Sequence, residues 1–146
     1  MEKPADTHYP IHELLKNRWS PRAFSPRPVQ HETLFSLFEA ARWAPSGGNL
    51  QPWAFLFTTA GSQAHECFAE ILSENNRVWA VHAPILALAV TQRDREPGKP
   101  NAWALYDLGQ AVAHLVIQAE AEGLSVHQIG GYDRVKARRL FEIPEG

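Results

Sequence analysis

Arginine and serine side chains cluster near the N-terminus, where Arg18, Trp19, Ser20 and Arg22 follow one another closely. Arginine presents paired N–H donors that match the oxygens of a phosphate dianion, and a serine hydroxyl adds a further polar contact. The segment therefore has the chemistry to bind a phosphate group. For so short a segment taken alone, the alternative that both arginines are solvated surface charges is favoured.

Residues 45–49 read Pro-Ser-Gly-Gly-Asn and form a second candidate segment. Pro45 favours a turn, and the two glycines that follow, beginning with Gly47, let a flat ligand approach the backbone closely. Ser46 and Asn49 supply uncharged donors and acceptors, which suit the edge of a heteroaromatic ring. An ordinary connection between a helix and a strand would use the same residue types, so both interpretations stay open.

A third segment contains Ile129, Gly130 and Gly131. Its two glycines again permit a close approach of backbone and ligand. A plain turn between a strand and a helix would have the same composition.

Other common sites are absent from the sequence. The seven histidines show neither H-E-x-x-H nor another metal-ligand spacing, so no metal site is predicted. A dinucleotide-binding fingerprint and a phosphate loop are also missing, since Lys99 is followed by proline rather than by serine or threonine. No local motif suggests a Ser-His-Asp order or an acid–base pair, and we predict no catalytic side chain.

Composition indicates one water-soluble domain. The chain has 146 residues, of which 45% are hydrophobic and 21% charged, with a net charge of −2. Because the net charge is close to zero, no overall positive electrostatic field attracts an anion, and we expect no nucleic-acid partner. The longest apolar stretch, residues 83–90, is far shorter than the roughly 18 residues of a membrane span. The single cysteine and the lack of a signal peptide predict a cytoplasmic location.

Hydrophobic periodicity predicts helices with interspersed buried strands, an α+β architecture. The predicted helices cover residues 11–20, 34–41, 64–72 and 102–122 and a short basic segment from Asp133 to about Phe141; the predicted strands cover residues 53–58, 85–91 and 124–129. Residues 92–102 are predicted to form a polar loop.

The longest predicted helix, residues 102–122, is apolar around most of its circumference. Its one polar stripe contains Asp107, Gln110, His114 and Gln118, and one apolar face begins at Leu105. A single small sheet cannot cover so much apolar surface. Burial against the same helix of a second copy would cover the remainder.

Four ordered motifs together resemble the nitroreductase family of FMN-dependent oxidoreductases. They are R-W-S-P-R-A-F at residues 18–24, A-P-S-G-G-N-L-Q-P-W at 44–53, W-A-L-Y-D-L-G-Q-A at 103–111 and G-L-S-V-H-Q-I-G-G-Y-D at 123–133. The resemblance extends over residues 11–146. It implies a nitroreductase-like α+β fold, with a central mixed sheet flanked by helices, and an intertwined homodimer that binds FMN at the subunit interface.

The resemblance also assigns cofactor-binding residues. The segment for the FMN phosphate and ribityl chain contains Arg18, Trp19, Ser20 and Arg22; the loop from the partner subunit contains Pro45, Ser46, Gly47 and Asn49; the turn at the reactive edge of the flavin contains Ile129, Gly130 and Gly131. Asn75 or Asn76 matches a further polar flavin contact, and the alignment leaves open which.

Two departures from the family pattern concern the cofactor site. Position 47 is glycine, where many relatives carry a serine, so one hydroxyl is replaced by backbone alone. Family members usually continue beyond residues 143–146 with a strand, a basic phosphate contact and a tail around the partner. We therefore expect a single domain over residues 1–146 that lacks this strand and tail, as a truncated form would.

The activity implied by the resemblance is a ping-pong reaction. NAD(P)H as co-substrate passes a hydride to the flavin and leaves, and a small-molecule acceptor such as a nitroaromatic or quinone then takes the electrons. The alternative is a flavin-binding or flavin-handling protein without NAD(P)H turnover.

Overall fold

The computed structural model describes residues 3–144, which form an α+β fold as predicted. The helices and strands follow in the order α1 (Glu13–Asn17), α2 (His31–Arg42), a 3-10 turn (Gly47–Asn49), β1 (Trp53–Thr59), α3 (Gln63–Ile71), α4 (Glu74–Ala80), β2 (Ile85–Thr91), β3 (Asp94–Glu96), β4 (Lys99–Pro100), α5 (Ala104–Ala121) and α6 (Arg134–Leu140). The first helix is shorter than predicted, and α4 was not predicted.

An antiparallel pair of strands, β1 and β2, forms the main sheet of the described residues. Trp53 lies opposite Thr91 and Thr59 opposite Ile85, which confirms both predicted strands. Helix α5 packs on both strands, and α3 packs on β1. Within residues 3–144 the sheet is thus smaller than the mixed sheet that the resemblance implies.

Two clusters of buried side chains hold the layers together. One lies between α3, β2 and α6 and includes Phe68, Ile71 and Leu88. The other lies between α2 and α5, where Ala41 and Ala111 are both fully buried. Small alanine side chains let two helices approach closely, and the alanine face of α5 is therefore the one that packs inward.

The burial of Asp107 on α5 differs from the predicted polar stripe. Leu105 is 67% exposed, whereas Asp107, which the sequence places on a polar stripe, is 1% exposed. Asp107 shares its helical face with Ala104 and Ala111, three and four residues away, and is buried with them. The helix ends as predicted at Gly123, which has φ +70°.

The predicted polar loop at residues 92–102 contains a small hairpin of β3 and β4. Its turn includes Gly98 with φ +76°, a conformation that glycine adopts without steric cost. Pattern alone did not indicate these two short polar strands, because they bury no apolar face.

The predicted strand at residues 124–129 does not form. Within the described residues, the backbone of residues 125–130 makes no backbone–backbone hydrogen bond. A cavity of about 660 Å³ separates this segment from β2, and Leu86, Leu88 and Ile129 are among its lining residues. The prediction is wrong because a strand needs an adjacent strand to bond with, and here the adjacent space is the cavity.

Candidate functional site

The two arginines of the N-terminal segment lie close to Ser20 and to α4. Arg18 Nη1 donates to Ser20 Oγ at 3.3 Å, and the Arg22 guanidinium lies over the Trp79 ring, 5.7 Å from its centroid. Neither arginine forms a salt bridge with a carboxylate of residues 3–144. Their charges therefore remain available to an anion.

Trp79, on α4, anchors this segment. Its ring stacks with Phe24 at 6.3 Å and packs against His127 at 4.4 Å between centroids. His127 Nδ1 lies 2.9 Å from the Pro21 carbonyl oxygen, which can only accept, so Nδ1 carries the proton. Residues 18–24 are thus fixed against α4 and against the segment that leads to the glycine turn.

The glycine turn is held by α4 as well. Asn76 Nδ2 donates to the Gly131 carbonyl at 3.0 Å, and the Ser73 N–H donates to the same oxygen at 3.1 Å. A Cβ at Gly131 would lie 2.6 Å from Asn76 Nδ2, so a side chain at this position would force the asparagine to move. Of the two asparagines that the sequence left open, Asn76 is the one placed against the turn.

Helix α4 therefore brings two of the three predicted segments together. Asn76 contacts the turn of residues 129–131, and Trp79, one turn later, contacts residues 18–24. Sequence reasoning missed Trp79 and His127; the available signal was the aromatic residue type of Trp79, since arginines pack over tryptophan rings.

The third segment, residues 45–49, is held by α5 instead. The Gly47 N–H donates to Asp107 Oδ2 at 3.1 Å, and Gln110 Nε2 donates to the Pro45 carbonyl at 3.4 Å. Ser46 Oγ accepts the N–H of Gln51 at 3.0 Å. Among the described residues, no hydrogen bond joins this loop to residues 18–22 or 129–131. Hydrogen bonds thus tie this loop to α5, whereas the other two segments contact α4.

Residues 3–144 contain neither a metal-binding cluster nor a membrane-spanning helix. No group of three or more His, Cys, Asp or Glu side chains is placed to hold a metal ion. No helix in this part of the chain combines the length and apolar character needed to cross a membrane.

Comparison with known proteins decides the family. The sequence model of the nitroreductase family matches residues 15–78 and 60–146. The chain belongs to the nitroreductase family. One curated relative of this nitroreductase-family chain is a Stenotrophomonas maltophilia protein that is provisionally named an NADH dehydrogenase/NAD(P)H nitroreductase. The two sequences are 26% identical over 150 residues, and the match covers 90% of this chain and 76% of the relative.

Solved structures confirm the nitroreductase fold. The crystal structure of an oxidoreductase described as containing FMN has a TM-score of 0.92 and 35% identity, and the match covers 97% of this chain and 73% of that one. A nitroreductase from Desulfovibrio desulfuricans, provisionally named and described as a complex with FMN, has a TM-score of 0.66 and 26% identity, covering 80% of this chain and 65% of that one.

Proposed function

We propose that this nitroreductase-family chain is an FMN-dependent oxidoreductase that passes electrons from NAD(P)H to an oxidised small molecule, such as a nitroaromatic or a quinone. The observation that carries the proposal is the cluster of Arg18, Ser20 and Arg22, two arginines without carboxylate partners among the described residues. The 35% identity to an oxidoreductase described as containing FMN supports the same cofactor.

The residues present suit the chemical groups of FMN. Two guanidinium groups and a hydroxyl match a phosphate dianion, and Trp19 lies beside them in sequence. Apart from its two chain neighbours, no described residue has an atom within 4 Å of the position that a Cβ at Gly130 would take, so its backbone is open to a ligand. The indole N–H of Trp79 is buried without a hydrogen-bond partner in residues 3–144, a donor that a nearby ligand or water would satisfy.

In this proposal the protein binds and orients the cofactor. When bound, FMN would supply two-electron chemistry between a reduced nicotinamide and the acceptor. Arg18 and Arg22 would hold the phosphate, and the turn of residues 129–131 would present backbone groups to the ring. No side chain is assigned as a catalytic acid or base.

A homodimer completes the proposed site. Around the loop of residues 45–49, large side chains are exposed: Trp43 at 72%, Trp103 at 57%, Leu105 at 67% and Tyr106 at 66%. Apolar exposure concentrated in this way is typical of a contact surface. A two-fold contact through α5 would bring the loop of one subunit to residues 18–22 of the other, with FMN between them.

Titration with FMN tests the proposal. We expect purified protein to bind FMN, followed by quenching of flavin fluorescence, and to oxidise NAD(P)H when menadione or a nitroaromatic is added. Protein that neither carries flavin nor binds added FMN would contradict the proposal. Binding without turnover would favour the alternative of a flavin-handling protein.

A further inference from the structure

The loop of residues 45–51 has an unusual backbone. Gly48, Asn49 and Gln51 have φ of +60°, +57° and +46°, in the left-handed region that residues other than glycine seldom occupy. Residues in this region keep their conformation only where surrounding contacts impose it. The contacts that impose it here therefore determine the shape of the loop.

Contacts inside the loop supply part of the restraint. The Asn49 N–H donates to the Ser46 carbonyl at 3.0 Å, and the Gln51 N–H donates to Ser46 Oγ at 3.0 Å. These bonds close the turn, but they do not fix it relative to the rest of the protein.

Asp107 supplies one of the links to the rest of the protein, beside the bonds that Gln110 Nε2 donates to the Pro45 carbonyl at 3.4 Å and Gln51 Nε2 donates to the Arg42 carbonyl at 3.1 Å. Asp107 Oδ2 accepts the Gly47 N–H at 3.1 Å, and the residue is 1% exposed. A carboxylate is costly to bury without a partner, and no described residue forms a salt bridge with Asp107. Its position in the first turn of α5 is favourable, since a helix N-terminus stabilises negative charge.

The space around Gly47 is also closed on the side that faces Trp103 and Asp107. A Cβ at Gly47 would lie 3.4 Å from Trp103 Cδ1 and 3.7 Å from Asp107 Oδ2. At Gly48, by contrast, no atom of residues 3–144 other than those of its chain neighbours lies within 4 Å of the position of a Cβ, and both Gly48 and Asn49 are exposed. One side of the loop is thus fixed to α5, and the other side is open to a ligand.

We propose that Asp107 is a positioning residue: by holding the Gly47 N–H, it fixes the loop so that Gly48 and Asn49 present their polar groups to the flavin. The ligand in this statement rests on the proposed function, whereas the restraint on Gly47 does not. The inference is independent of Arg18 and Arg22, which would act on the phosphate.

Amide hydrogen exchange without FMN tests the restraint. In Asp107→Ala, we expect the Gly47 amide to exchange at least about 10-fold faster, the loss expected for a hydrogen bond to a charged group. In Asp107→Asn, the side-chain oxygen still accepts without charge, and we expect a rise of only about threefold. The matched control is Asp133→Ala, which removes the acceptor of the Lys136 N–H at 2.8 Å and should leave Gly47 unchanged.

Flavin titrations test the positioning role. We expect Asp107→Ala to weaken FMN and riboflavin binding alike, by about 10-fold, because the loop would contact the ring rather than the phosphate. If Asp107→Asn keeps most of the wild-type affinity, the hydrogen bond that positions the loop matters more than the negative charge. The control Asp133→Ala should bind both ligands normally.

The outcomes are distinguishable. An unchanged Gly47 exchange rate in Asp107→Ala would overturn the restraint, and normal flavin affinity in a variant with accelerated exchange would overturn the positioning role. If Asp107→Ala does not fold, the threefold change in the Gly47 exchange rate of Asp107→Asn tests the restraint instead. Exchange rates of amides elsewhere in the chain then serve as the reference. Wild-type protein that does not bind FMN would contradict the proposed function, while the exchange measurement would still decide the restraint.

Discussion

Replacing Arg22 by alanine should weaken FMN binding and leave the fold intact. The guanidinium lies over the Trp79 ring, 5.7 Å from its centroid, and forms no salt bridge within residues 3–144. The folded-state contact at risk is this cation–π interaction, worth about 0.5–1 kcal/mol at an exposed site. The free energy of unfolding should therefore fall by less than about 1 kcal/mol.

The effect on the cofactor should be larger. A hydrogen bond to a charged group contributes about 1.5–3 kcal/mol, which corresponds to a loss of about 10- to 150-fold in affinity. Arg22→Lys keeps the charge but loses the paired donors, so it should fall between the wild type and Arg22→Ala.

The assay compares two ligands in fluorescence titrations. FMN carries the phosphate and riboflavin does not, so riboflavin affinity should change by less than about threefold. Arg95→Ala, which removes an exposed arginine of the β3 strand, is the matched control and should bind both ligands normally. An equal loss for FMN and riboflavin in Arg22→Ala would refute the assignment of Arg22 to the phosphate.

Three other predictions follow from the structure. Hydrogen bonds from Arg42 and Trp43 lower the pKa of Glu39 to about 2. The stability that this carboxylate contributes is therefore present above its unfolded pKa and is lost as the pH falls toward 2. An NMR titration of Glu39 should show the low midpoint, and Arg42→Ala should raise that midpoint. Phe68→Ala should lower the free energy of unfolding, measured in urea, by about 3 kcal/mol. This is near the low end for a buried phenylalanine, because the ring borders the cavity. Val135→Ala, at an 81% exposed position, should lower the free energy of unfolding by less than about 0.5 kcal/mol. Leu105→Asp should shift sedimentation of FMN-loaded protein from dimer to monomer, and Val135→Asp should not; a dimer that survives Leu105→Asp would contradict the α5 interface.

Local pattern was sufficient for the elements with a strong hydrophobic period. Residues 85–91 were predicted as a strand and form β2, and residues 34–41 lie within α2. Both segments carry their apolar residues at the period of the structure that they adopt. Helix α4 was missed because its seven residues are mostly polar, and its position depends on contacts with residues more than 50 positions away, which no local pattern records.

The site shows the same division between local and distant information. Residue types indicated which segments could bind a ligand, since arginine, serine and glycine carry that chemistry wherever they lie. Their arrangement around Asn76 and Trp79 depends on α4, and therefore required the structure. The family resemblance supplied the roles of the segments, whereas the hydrogen bond from Gly47 to Asp107 came from neither source.

Helix α5 shows why an apolar surface alone does not specify which face is buried. The sequence has apolar residues around most of the helix, and the helix was predicted to be covered on nearly all sides, partly by a second copy, with Asp107 on its polar stripe. The face with Ala104 and Ala111 is buried, because it permits close packing against α2, and it takes Asp107 with it. Leu105 is left exposed as a consequence. This exposure supports the dimer proposal, since the helix still presents a second apolar face after its own chain has covered the first.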